Sequence, residues 1–147
     1  MIHIKKKIIN FLTKKGKKPT AEKVFIKAVK TLQQDCAKST KELIKLAVFN
    51  SIIPFRILTF KQKKRKKKKI REVPFYIKNY KDQLSFAIKN LSKAVHTKNQ
   101  SLPKVSHNDL KNEILSATKS ASNSIQIKEN IQAFLMNKKH LLRHYKW

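Results

Sequence analysis

A mainly α-helical chain with one inserted β-hairpin is the fold class this sequence predicts, and three observations predict it. Apolar residues recur at three- and four-residue spacing in six successive segments. Between the third and fourth, two short stretches rich in β-branched and aromatic residues flank a lysine-rich run. The 147 residues are 40% apolar, a length and composition that suit one domain, residues 1–147, with a real core.

Each element follows from local pattern. Ile4, Ile8, Phe11 and Leu12 fall at i, i+4, i+7 and i+8, an amphipathic helix that should end near Gly16, a natural cap. Lys17 and Lys18 form a short basic turn. Pro19 suits the first turn of a second helix and Glu22 suits its positive end. Ala21, Val24, Phe25, Ala28 and Leu32 make its apolar face. Ser39 and Glu42 read as a capping box for a third helix, which carries Leu43, Ile44, Leu46, Ala47 and Phe49 and is stopped by Pro54.

Residues 55–60 and 73–77 read as two strands, with Pro74 placing its strand at an edge. The hairpin spans about 55–77. Its basic segment 61–71 holds no Asn-Gly or Gly-Gly pair, so a long basic tip rather than a two-residue turn is expected. Asn79 and Asp82 can cap a fourth helix carrying Leu84, Ala87, Ile88, Leu91, Ala94 and Val95. Residues 96–105 read as a polar loop containing Pro103. Ser106 and Asp109 start a fifth helix with Leu110, Ile114, Ala117 and Ala121. Ser120 to Ser124 reads as a turn, and a sixth helix from about Lys128 carries Ile131, Phe134, Leu135, Leu141 and Leu142.

Composition narrows function. Lys and Arg number 36 against 8 Asp and Glu, a formal net charge of +28. Residues 1–20, 61–71 and 137–147 together hold twenty of the basic side chains and no acid. The rest has an ordinary, slightly basic surface. Such clusters favour a polyanionic partner, which relieves their self-repulsion. Lysine outnumbers arginine 32 to 4. Lysine binds phosphate as a point charge and lacks the planar fork that reads guanine edges, so sequence-independent backbone contact is expected. With one glycine, no phosphate-binding Gly-rich loop is possible, and with one cysteine there is no internal disulfide or Cys-rich zinc site. The longest mostly apolar stretch, Leu46 to Leu58, is interrupted by Asn50, Ser51, Pro54 and Arg56, so no membrane span is expected.

Other candidates have plainer readings. His140 and His144 are spaced i, i+4, but with no carboxylate or cysteine near them they suit phosphate better than a metal. Tyr145 and Trp147 can stack on a base or pack on the domain. Cys36, with no histidine beside it in sequence, reads as a small semi-buried residue. The few carboxylates fall mostly at helix starts, where capping explains them, so no enzyme, cofactor or small-molecule substrate is expected. The lysines at 5–7 could belong to an organellar targeting peptide, but they merge into the first amphipathic segment and read as its first turns.

Several motifs carry a family resemblance. Gly16-Lys17-Lys18-Pro19-Thr20-Ala21-Glu22 resembles the Gly-Lys-Lys-Ser-Thr-Ala-Glu turn of the family of ribosomal protein seven of the small subunit, bacterial and organellar type. Ala47-Val48-Phe49-Asn50 through Pro54 resembles the end of that family's third helix, and Val73-Pro74 its return strand. Leu110, Glu113 and Glu129 keep its later helix spacing, and the terminal His144-Tyr145-Lys146-Trp147 is similar to its His-Tyr-Arg-Trp ending. The resemblance runs from about residue 8 to 147. The sequence departs from the family in lacking a basic arm before the first helix. It also departs at the hairpin tip, where Lys63-Lys64-Arg65-Lys66-Lys67-Lys68-Lys69 replaces an Arg-Arg-x-Gly-Gly-Ser motif.

The resemblance implies a structural constituent of the small ribosomal subunit that binds the 3′ major domain of its rRNA and helps nucleate assembly of the head. It implies a hairpin near the exit-site tRNA and the mRNA path, and neighbouring head and platform proteins as partners. The rRNA contacts expected are Lys5, Lys6, Lys7, Lys14, Lys15, Lys17 and Lys18; Lys61, Lys63, Lys64, Arg65, Lys66, Lys67, Lys68, Lys69 and Arg71; and Lys138, Lys139, Arg143, His144, Lys146 and Trp147. A free nucleoid- or chromatin-binding architectural protein is the alternative, and a cationic membrane-active protein a third. The Lys, Ile and Asn bias, as from an A+T-rich gene, points to a mitochondrial product, with plastid or bacterial cytoplasm as alternatives.

Overall fold

Alanines set how closely the helices approach. The computed structural model describes residues 2–36, 38–64, 67–98 and 106–139. In chain order these form α1 (Ile2–Leu12), α2 (Lys18–Asp35), α3 (Thr40–Asn50), β1 (Phe55–Lys64), β2 (Lys67–Tyr76), α4 (Tyr80–Lys98), α5 (His107–Thr118) and α6 (Asn123–Asn137). Ala28, Ala47, Ala87, Ala94 and Ala117 are fully buried, one or two in each of α2 to α5, where a larger side chain would hold neighbouring helices apart. Around them Ile8, Leu12, Leu32, Ile44, Ile88, Leu91, Val95, Leu110 and Ile114 form the main core. Two helices are central: α4 packs on α1, α3, α5 and α6, and α5 packs on α2, α3, α4 and α6. A second, smaller core of Ile53, Ile131 and Leu135, with Phe55, Ile57, Phe86 and Ile127 against it, fixes the root of the hairpin to α6.

A buried polar joint closes the far side. Ser122 caps α6 by accepting the Ile125 N–H at 3.2 Å, and Glu113 of α5 accepts the Ser124 N–H at 3.1 Å. Ser51, at the end of α3, approaches Ser124, and Ser122 and Ser124 lie 2.7 Å apart. A helix N-terminus inside a protein needs such partners because its first N–H groups have none in the helix.

The six helices and the hairpin between α3 and α4 stand as the sequence predicts, with corrections. The basic segment is not a long loop between short strands. The ladder continues through it, pairing Phe55 with Tyr76 at the root and Lys64 with Lys67 at the end. Only positions 65 and 66, outside the described residues, lie between. Among the described residues neither strand has a further partner, so Pro74 does lie at an edge, and it is buried there. The sixth helix starts at Asn123, not Lys128, so the serine-rich run is its cap and first turn. The fourth helix continues to Lys98 into the segment read as loop, while α1 stops at Leu12 and α5 at Thr118, before Ala121.

Two caps differ in mode. Ser39 is the N-cap of α3, but its hydroxyl makes no cap bond; its carbonyl accepts the Glu42 and Leu43 N–H groups at 3.0 and 3.1 Å. At α4 the Asn79 amide donates to the Asp82 carboxylate at 3.3 Å. Leu141 and Leu142, and the loop positions 99–105 with Pro103, lie outside the described residues.

Candidate nucleic-acid interface

The α1–α2 turn is where backbone conformation displays charge most directly. Lys15 and Gly16 both have positive φ, 49° and 74°. A side chain at Gly16 would meet nothing, so glycine is there for its left-handed backbone alone. At Lys15 the same conformation costs about 1–2 kcal/mol. Pro19 then starts α2 with its fixed φ, and the Lys17 carbonyl accepts the Thr20 hydroxyl at 2.6 Å. The outcome is Lys14, Lys15, Lys17 and Lys18 all exposed on one tight turn.

This turn lies beside the end of α4. His96 lies against the Phe11 backbone and feels the charge of Lys14. Burial and that lysine hold its pKa below the usual value of about 6.5, with the Phe11 backbone pulling the other way. At the other end of the pair, Lys7 donates to the Lys81 carbonyl at 3.3 Å and to the Ser85 hydroxyl. α1 and α4 therefore run in the same direction. Lys5 and Lys6 are exposed on α1, and Lys81, Lys89 and Lys93 on α4.

The hairpin gathers charge by register. Lys63 stands opposite Lys68, Lys64 opposite Lys67 and Gln62 opposite Lys69, while Lys61 and Arg71 stand opposite Ile70 and Phe60. Like charges directly opposite one another weaken a ladder, so this ribbon gains from an anion laid along it. Lys138 joins this group: its ammonium lies 4.3 Å from the Phe134 ring and donates to the Glu72 carbonyl at 3.4 Å. Lys139 is exposed beside it. Of the remaining candidates, Arg65, Lys66, Arg143, His144, Lys146 and Trp147, together with His140 and Tyr145, lie outside the described residues.

Acids are mostly occupied elsewhere. Asp35 pairs with Lys111, Glu113 is buried at the start of α6, and Glu42, Asp82 and Asp109 sit in first helical turns. That leaves Glu22, Glu72 and Glu129 against a basic surface. Sequence reading missed two things here. It could not tell that Lys7, Lys111, Lys128 and Lys138 are tied to protein atoms, since a lysine that ends on a carbonyl looks like any other. It also passed over Lys89 and Lys93, which the helical period of α4 could have placed on its outer face. Cys36 is half-buried at the end of α2, as expected. Among the described residues no group of three or more His, Cys, Asp or Glu side chains could hold a metal, and no helix is long and apolar enough to cross a membrane.

Fold and surface together define a class: a basic helical protein with a ribbon arm and lysines presented largely without counter-acids. Residues 2–136 match the family model described as ribosomal protein S7p/S5e, and the chain belongs to that family. Against individual curated proteins it has no significant match. The family comprises structural, non-enzymatic proteins of the small ribosomal subunit that bind rRNA and serve translation.

Proposed function

We propose that this chain binds the 3′ major domain of small-subunit rRNA and helps nucleate the head of the subunit, and that it does so in a mitochondrial ribosome. The observation that carries the reading is the division of charge. Most acids are paired, buried or set in first helical turns, while the α1–α2 turn, the outer sides of α1 and α4, and the hairpin ladder offer cations. Several rRNA helices converging on a rigid helical body would be neutralised and spaced by such an arrangement. The residues proposed to make these contacts are the basic ones named from the sequence, with Lys7 and Lys138 acting through their stems and spare donors, because each already serves a protein carbonyl.

The hairpin extends this reading. Its ladder is ten residues on each strand, rooted by Phe55 and Ile57 and basic towards its end. At about 3.4 Å per residue that is roughly 30 Å of ribbon, an arm that we read as directed towards the exit-site tRNA and the mRNA path. Head and platform proteins are the neighbours such a seat provides. The mitochondrial assignment rests on the Lys, Ile and Asn bias of the composition.

Sedimentation of the native protein from fractionated cells tests the proposal. Recovery in mitochondrial small-subunit particles is expected. Recovery with DNA, in plastid or bacterial particles, or with membranes would replace the corresponding part of the reading.

A further inference from the structure

We propose that one face of the hairpin is a stacking surface for unpaired RNA bases, with Phe60 and Phe75 as the stacking residues. This rests on the RNA-binding reading above and adds to it a contact that charge alone does not provide. Strand alternation and register sort the ladder into two faces. One carries the pairs Phe55–Tyr76, Ile57–Pro74 and Thr59–Glu72, and it is the face whose Phe55 and Ile57 pack into the small core with Ile53, Ile131 and Leu135. The other carries Arg56–Phe75, Leu58–Val73, Phe60–Arg71, Gln62–Lys69 and Lys64–Lys67.

On this second face Val73 is buried, yet the two flanking rings are not: Phe60 is 51% and Phe75 44% exposed. The Arg56 guanidinium lies 4.9 Å from the centre of the Phe75 ring, an arrangement that leaves a flat cationic and aromatic platform. Every ionisable position on the face is Lys or Arg, and the one acid of the ladder, Glu72, is on the other face. Exposed aromatic rings on a face whose ionisable positions are all basic match a ligand that offers flat π-faces and phosphates together, and single-stranded RNA offers both. The rings sit two same-face steps apart, about 13 Å along the strands. Bases stacked in a helix are only about 3.4 Å apart. The two rings therefore take bases splayed from one another, not one continuous stack, and they do so with little regard to base identity.

The test uses the intact protein at fixed salt and two oligomers of about ten nucleotides: single-stranded oligo(A), and an abasic oligomer with the same number of phosphates. The wild type should bind oligo(A) about 10- to 100-fold more tightly, from stacking on two rings. The double variant Phe60→Leu, Phe75→Leu should lose that preference while its affinity for the abasic oligomer is unchanged. The double variant Phe60→Tyr, Phe75→Tyr should keep it. Equal binding of both oligomers by the wild type, or a preference that survives in the Leu variant, overturns the stacking surface while charge-driven RNA binding stands. Loss of the preference in the Leu and Tyr variants alike overturns it too. Failure of the wild type to bind either oligomer overturns the RNA-binding reading itself.

Discussion

Glu113 is the residue on which the packing of α5 against α6 turns. It is fully buried, and its carboxyl oxygen receives the Ser124 N–H. Glu113→Ala removes that acceptor and leaves a void, and should lower stability by about 2–4 kcal/mol in urea unfolding. Glu113→Gln keeps a carbonyl acceptor and should lower it by about half as much. Equal, small losses for both would mean the joint does not depend on this bond. His96 gives a pH test. Its folded pKa is depressed, so its neutral form favours the fold, and protons bind the unfolded chain first. The stability it supports is complete above the unfolded pKa of about 6.5 and is lost as pH falls towards the folded value. Thermal unfolding at about pH 8 and about pH 5 should differ more for wild type than for His96→Gln; an unchanged difference would count against it. Neither residue announces itself in sequence. Glu113 looks like a surface acid, and His96 lies in a segment whose polar residues read as loop.

At the scale of elements, the helices were legible wherever one apolar stripe runs unbroken, as in α2 and α4. The start of α6 was not, and Lys128 explains why. It stands in phase with Ile125, Ile131 and Leu135, where a core residue is expected. Its stem is half-buried and its ammonium donates to the Asn50 carbonyl at 2.8 Å, at the end of α3. A positive group is favourable at that helix end, but it breaks the apolar pattern. The hairpin was legible at its root and not at its length, because a lysine run has no strand signature of its own; the pairing of its neighbours carries it. Register then dictates how the arm can be shortened. Removing residues 62–69 and inserting Asn-Gly between Lys61 and Ile70 retains every remaining pair and supplies a two-residue turn. A removal that shifted the ladder by one residue would turn Phe55 and Ile57 away from the small core. The in-register variant should unfold within about 1 kcal/mol of wild type, since neither core is touched. A loss of several kcal/mol would show that the basic ladder stabilises the body.

For the molecule as a whole, charge determines both affinity and the division of labour. If on the order of ten phosphates are neutralised, log affinity for a 3′-domain rRNA fragment should fall with log salt at a slope of about −7 to −9. Affinity that barely changes over a fourfold range of salt would contradict phosphate neutralisation. The composition made this partner class legible, because an excess of cations needs no folding to be read. The siting of that excess did require the fold: only packing puts the α1–α2 turn against the end of α4 and Lys138 against the middle of the hairpin. That siting separates two tasks. The turn is held by a left-handed backbone and by α4, so its lysines stand on a fixed backbone suited to docking rRNA. The hairpin's basic end stands away from the main core and suits RNA that arrives later. Changing Lys14, Lys15, Lys17 and Lys18 to Gln should therefore reduce the yield of complete small subunits in gradient profiles. The in-register hairpin deletion should leave the yield intact but weaken tRNA retention at the exit site or reading-frame accuracy, read with a frameshift reporter. The reverse pattern, with assembly lost on shortening the arm and normal in the turn variant, would make the hairpin the principal rRNA anchor. The rigid turn would then matter for the fold more than for docking.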